Sequence, residues 1–304
     1  MNTRDKIIGV FTFLVLSTQL SAQQEPLSTF FREGNLTQTN PGMTGAVYKH
    51  AANILWRDYW IKKTPLNLPR QTTFWTNYSY KIDKINSGIG INYRYDALGY
   101  QKRNTVSLSY AYHIPIKSLF LSIGVSGGIN TLNRNYSDLT FASPVPNPDY
   151  NPVFTSDFGI ALRHEKWNTG ISVTQWNNPT FRSDNSTKNY TLDPHFWWFV
   201  DYRFKLSEYW DLTPRIQLAT DWATLSTTIQ LLASWKKNLW FGVGVKNAFL
   251  KNAFSTHSFT ISPMIGYDIK GMFRIGYAGN ISNTPDPYMF NLMTHEVIVS
   301  FLMK

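Results

Sequence analysis

Six histidines, His50, His113, His164, His195, His257 and His295, are the first residues to test for chemistry, because imidazole is the commonest general base and metal ligand. None stands at ligand spacing from another His, and the chain contains no Cys. His295 and Glu296 are neighbours in an apolar-polar alternating stretch, and adjacent residues of a strand point to opposite faces. Asp83, Asp96, Asp201 and Asp221 are isolated acids near segment ends, a placement that suits solvated or paired carboxylates. Gly88-Ile89-Gly90 lacks the helix that a phosphate-cradling loop requires, so it marks only a strand. The residues therefore predict no catalytic group, no metal ligand and no cofactor, and the chain reads as non-enzymatic.

The elements that carry these side chains are more informative than the side chains. Segments of about ten residues alternate between apolar and polar positions down to the last residue. Leu119, Leu121, Ile123 and Val125 share one face opposite Ser122, Gly124 and Ser126. Leu225, Thr227, Ile229, Leu231, Ala233 and Trp235 oppose Ser226, Thr228, Gln230 and Ser234, and Val297, Val299 and Phe301 share a face near the end. Fourteen segments are predicted, at 46–59, 70–81, 87–96, 103–114, 118–132, 154–164, 168–177, 195–206, 209–221, 224–235, 239–249, 257–269, 272–280 and 294–303. The fold class predicted is all-β: a closed antiparallel transmembrane β-barrel of about 14 strands spanning residues 45–304. Closure leaves no unpaired sheet edge in the hydrocarbon region. The 11 Trp, 17 Tyr and 20 Phe favour a barrel over a soluble sandwich, with Tyr110, Tyr112, Trp235 and Trp240 assigned to interfacial girdles.

Mean hydropathy is −0.27, which suits a barrel because only every second strand residue must face lipid. Met1-Asn2-Thr3-Arg4-Asp5-Lys6, the apolar residues 7–20 and Ser21-Ala22-Gln23 have the layout of a secretory signal peptide. Residues 1–22 are read as that leader, cut before Gln23 or Gln24. With no Cys there can be no disulfide. The net charge of +10 is scattered over turns and strand ends, as in Lys62-Lys63 and Lys236-Lys237, and predicts no nucleic-acid partner. Short connections alternate with longer ones, which places both termini in the periplasm of a Gram-negative outer membrane and makes the strand number even.

Two features leave alternatives open. Gly124, Gly128, Gly242, Gly244 and Gly276 fall within strands, either to relieve curvature or to let another backbone lie against the inner wall. Residues 23–44, polar and loop-like, are the candidate plug. The loop 133–153 is stiffened by Pro144, Pro146, Pro148 and Pro152, either as a cap or as a contact surface. Asn135, Tyr136, Pro144, Pro146, Pro148 and Tyr150, with Phe181, Arg182 and Tyr190 of the loop 178–194, are the candidate partner-binding positions.

Three local motifs resemble the PorP/SprF family of outer-membrane proteins of the Bacteroidetes. Asn40-Pro41-Gly42-Met43-Thr44-Gly45 is similar to that family's Asn-Pro-Ala-Tyr-Ala-Gly run, with Gly42-Met43 in place of Ala-Tyr. Arg57-Asp58-Tyr59-Trp60 looks like its Arg-X-Gln-Trp. Thr294-His295-Glu296-Val297-Ile298-Val299-Ser300-Phe301 looks like its closing strand, here continued by Leu302-Met303-Lys304, which is expected to overhang. The resemblance implies type IX secretion and gliding motility. The implied partners are a large secreted surface protein (an adhesin) or periplasmic components of the machine, besides outer-membrane lipid. Asn40, Pro41, Gly42, Gly45, Arg57 and Trp60 are expected to be structural. His295, Glu296, Val297, Val299 and Phe301 are expected to form the barrel-assembly strand. The alternative is a transporter of hydrophobic small molecules built like fatty-acid channels.

Overall fold

The computed structural model describes Phe30 and residues 35–60, 71–136, 147–183, 189–250, 258–283 and 292–304. Seventeen strands run along the chain: β1 His50–Trp60, β2 Gln71–Ile82, β3 Ser87–Leu98, β4 Gln101–Ile116, β5 Leu119–Arg134, β6 Val153–Arg163, β7 Trp167–Thr174, β8 Thr180–Phe181, β9 Tyr190–Thr191, β10 His195–Tyr202, β11 Phe204–Lys205, β12 Trp210–Thr220, β13 Thr224–Trp235, β14 Leu239–Leu250, β15 Ser258–Ile269, β16 Phe273–Asn283 and β17 Leu292–Met303. Strands β8 and β9 form a separate hairpin, and β11 continues β10 past Arg203; both β10 and β11 pair with β12. The remaining fourteen close an antiparallel barrel in which each strand pairs with its sequence neighbours and β1 pairs with β17. That seam runs from His50↔Met303 to Trp60↔Met293.

The alternation read from the sequence is the barrel's inside-outside pattern. On β5, Ile123 and Val125 are exposed while Ser122 and Ser126 are buried; on β13, Ile229 and Leu231 are exposed opposite buried Thr228 and Gln230. Three expectations need correction. Residues 46–49 precede β1, because Met43, Ala46 and Val47 turn inward to pack rather than join the ladder. Leu302 and Met303 do not overhang: they pair with Ala51 and His50, and Leu302 packs against Tyr48 and Ala51. Trp240 is not part of a girdle; its ring points into the barrel and is 1% exposed, whereas Tyr110, Tyr112 and Trp235 face outward as expected.

The interior is filled by the N-terminal segment. Short 3₁₀ turns at Leu36–Gln38 and Pro41–Met43 lie inside the wall, and Asn40, Pro41, Gly42 and Met43 are buried. Leu36, Met43 and Ala46 pack on Ala161 of β6 and Phe199 of β10. Phe30 packs edge-on against Trp240, with ring centroids 6.0 Å apart, inside a cluster of Leu55, Trp75, Leu232, Met264, Ala278 and Ile298. Over β13–β17 the lumen wall carries an apolar socket. The proposed leader, residues 1–22, lies outside the described residues.

Candidate functional site

Asn40 is the pivot of the inner segment. It caps the second 3₁₀ turn, its Oδ1 accepting from the Gly42 N–H at 2.8 Å. Its Nδ2 donates to the carbonyls of Ile160 in β6 and Ile171 in β7, each at 3.1 Å. Ser172 Oγ donates to the Thr39 carbonyl at 2.7 Å, and Thr44 Oγ1 to Ser109 Oγ at 3.1 Å. This closeness requires a wall without side chains. A Cβ on Gly88 would lie 2.0 Å from the Thr44 carbonyl oxygen, one on Gly124 2.4 Å from that of Pro41, and one on Gly159 2.2 Å from Asn40 Oδ1. Between the two readings of the strand glycines, Gly124 thus serves a second backbone. Gly276 instead accommodates the Trp240 ring, at 2.6 Å, and Gly128 and Gly242 face strand carbonyls. Gly244 has no such close neighbour under 3.3 Å. Gly45 has φ of +64° and turns the chain toward β1.

The second and third motifs meet at the seam. Arg57 stands across from Glu296 and Asp58 across from His295. Arg57 and Glu296 are buried on the lumen side, with Lys246 of β14 in electrostatic reach of both. Glu296 Oε1 accepts from the Phe30 N–H at 3.2 Å, joining the closing strand to the inner segment. Asp58 accepts from Thr72 Oγ1 at 3.0 Å, and His295 shares a hydrogen bond with the Tyr277 hydroxyl. Polar residues thus stand opposite one another across the seam, and its register is fixed because a one-residue slip would reverse every face. Val297, Val299 and Phe301 lie on the outer face, Phe301 against Phe273. Trp60 ends β1, its side chain outside the described residues.

At the opposite rim, away from the chain ends, the two long loops form one small body. Tyr150, Phe181, Leu192 and Leu132 pack together, flanked by Val153 and Tyr190. The Arg134 guanidinium lies 4.5 Å from the Tyr190 ring centroid and donates to the Tyr150 hydroxyl at 3.2 Å. Tyr150 bridges to Ser183, and the Asn151 N–H donates to the Arg182 carbonyl at 3.2 Å. Asn147 Oδ1 accepts from the Tyr136 N–H at 2.7 Å and its Nδ2 donates to Asn135 Oδ1 at 3.3 Å. Pro148 is buried and Arg182 exposed; Pro144 and Pro146 lie outside the described residues. The described candidate positions lie together here; the β8–β9 hairpin and the part played by Arg134 are not signalled by residue type or local pattern. Among the described residues no group of three or more His, Cys, Asp and Glu side chains could hold a metal ion.

A polar cavity of about 60 Å³ remains between the inner segment and that rim, lined by residues including Thr37, Asn92, Arg94, Asn130, Thr155 and Asp157.

Comparison with solved structures gives the same architecture. The CymD monoaromatic hydrocarbon channel matches with a TM-score of 0.54 at 10% identity, over 88% of this chain and 91% of that one. The Ralstonia pickettii toluene transporter TbuX matches with a TM-score of 0.51 at 9% identity, over 88% and 93%. These likenesses speak for the fold, that of an outer-membrane barrel. A search of curated proteins returns no match. The family model described as type IX secretion system membrane protein PorP/SprF matches residues 20–301. With nearly its whole length covered, this chain belongs to the PorP/SprF family of type IX secretion system membrane proteins.

Proposed function

We propose that this outer-membrane barrel is a non-enzymatic scaffold of type IX secretion that holds a large secreted surface protein at its loop-bearing rim. The chain ends lie in the periplasm, where the opposite rim is available to the secretion machinery. The observation that carries this reading is the joint packing of the two long loops around Tyr150, Phe181 and Leu192. Loops that merely connect strands need no core of their own, and a preorganised surface with Tyr and Arg at its edge lowers the ordering cost of binding a protein. The filled lumen supports a scaffold over a conduit, since the apolar socket is occupied by Phe30 of the same chain.

Deleting the gene is expected to abolish surface display of the large partner while bulk permeability stays unchanged. Truncating either loop, at 137–147 or at 183–189, should release the partner and leave a heat-modifiable folded barrel. The hydrocarbon channels that share the fold motivate a second reading, transport of a hydrophobic small molecule. That reading wins if deletion leaves every surface protein in place and blocks uptake of a fatty acid or similar lipid. Intact mass of the mature chain checks export: a start at Gln23 or Gln24 is expected, and retention of residues 1–20 would contradict it.

A further inference from the structure

The rim that carries the chain ends has six turns, at 83–86, 117–118, 164–166, 203–209, 236–238 and 270–272, and every one presents an exposed lysine. These are Lys84, Lys117, Lys166, Lys205, the pair Lys236-Lys237, and Lys270. With Arg203 they make eight cations against three carboxylates in the same turns, Asp83, Glu165 and Glu208. Asp83 is already held by Lys81 at 3.0 Å and Lys49 at 3.9 Å.

Four of the lysines occupy backbone conformations that lysine disfavours. Lys117, Lys236, Lys237 and Lys270 have φ of 53°, 48°, 61° and 51°. Hairpin turns whose central residues have positive φ ordinarily take Asn or Gly, and another L-residue there costs about 1 kcal/mol. Charge is retained at these tips against conformational preference. The direction of one side chain says what the charge is for. The Lys236 ammonium lies 4.6 Å from the ring centroid of Trp235 and 5.7 Å from that of Tyr209. Trp235 is on the outer, lipid-facing side of β13, so this amine runs along the outside of the wall rather than away from the membrane plane. Ile116, Trp210, Ile269, Met272 and Phe273, exposed beside the same turns, continue the apolar band up to the lysines. An ammonium above an aromatic belt is at the depth of lipid phosphates.

We infer that this rim is a headgroup-binding collar in which the turn lysines hold the phosphates of anionic phospholipids in the adjacent leaflet. The inference rests on the periplasmic placement proposed above, since phospholipids form that leaflet, but its test does not pass through secretion. The full-length barrel is reconstituted in nanodiscs of phosphatidylcholine with phosphatidylglycerol, and co-retained lipid is counted by native mass spectrometry. The wild-type chain should retain phosphatidylglycerol preferentially. The triple variant Lys117→Gly, Lys236→Gly, Lys270→Gly should fold at least as well, because glycine relieves the positive φ. It should nevertheless lose at least about fivefold in that preference, the scale expected when even one near-surface lysine is removed. Replacing the same three lysines with arginine should keep the preference. Equal retention of the two lipids by the wild-type chain, or an unchanged preference in the folded glycine variant, would overturn the collar. So would wild-type rim lysines that ignore phosphatidylglycerol but bind a ten-residue oligo-glutamate peptide, which would make the rim a docking face for an acidic protein.

Discussion

The two halves of the barrel wall fill the same lumen by opposite means. Strands β3–β7 offer glycines, and the inner segment lies directly on them, the Thr44 and Pro41 backbone over Gly88 and Gly124 and the Asn40 side chain over Gly159. Strands β13–β17 instead project Leu232, Trp240, Met264 and Ile298 inward, and among the described residues of the inner segment it is Phe30 that meets them. On the first half specificity comes from close approach and from hydrogen bonds such as those of Asn40; on the second it comes from apolar volume. A lumenal glycine and a lumenal tryptophan thus serve one purpose, excluding space from the barrel, through subtraction in one place and addition in the other.

Emptying the apolar half has the largest expected effect. Trp240→Ala removes the ring that covers Gly266 and Gly276 and packs on Phe30. It should destabilise the folded barrel by ~3–5 kcal/mol, read as a lowered urea midpoint in detergent. On the glycine half the damage comes from adding atoms. Gly88→Ala and Gly124→Ala should cost about 1–3 kcal/mol each and dislodge the inner segment, seen as new protease cleavage near residues 40–45 and a rise in single-channel conductance. If either variant leaves the segment protected, the cradle reading is wrong. Asn40→Ala leaves the carbonyls of Ile160 and Ile171 without this donor, and should cost about 1–3 kcal/mol with the same cleavage pattern. Gly244→Ala is the internal control, since its nearest neighbour would be 3.3 Å away; it should stay within about 0.5 kcal/mol of wild type.

The smallest effect expected is at the exit of the segment. Lys81, by hydrogen bond and by charge, holds the Asp83 carboxyl below its ordinary range, with a further contribution from Lys49. A lowered folded-state value means the ionised form is favoured by folding. Its contribution is present at neutral pH and fades as pH falls through that lowered value. Asp83→Asn should therefore differ slightly from wild type in thermal midpoint at pH 7, with the two converging in strong acid; a constant difference would refute the linkage.

Strand number and outer faces were legible because lipid enforces a strict alternation, as on β5 from Leu119 to Ser126. The interior was less legible because a protein-filled lumen accepts either polarity. Its apolar socket left a trace, though, as places where alternation fails: Leu231-Leu232-Ala233, Leu239-Trp240-Phe241 and Val297-Ile298-Val299 each put a large apolar residue on the inner face. The Asn40 motif was visible as residue types, yet its partners Gly159 and Gly170 lie more than a hundred residues away, and no local pattern connects them. The long loops were flagged by length and proline content. Their rigidity, however, comes from contacts between Tyr150, Phe181 and Arg134 that span two separate loops.

The hydrogen bond from Phe30 to Glu296 links positions 266 residues apart. β17 supplies both the Glu296 carboxylate that accepts from the Phe30 N–H and Ile298, one wall of the pocket around the Phe30 ring. The residue at the start of the inner segment is therefore held by the strand that closes the barrel. Interior packing and wall closure are thus coupled through one strand, and a change that loosens either is expected to loosen the other.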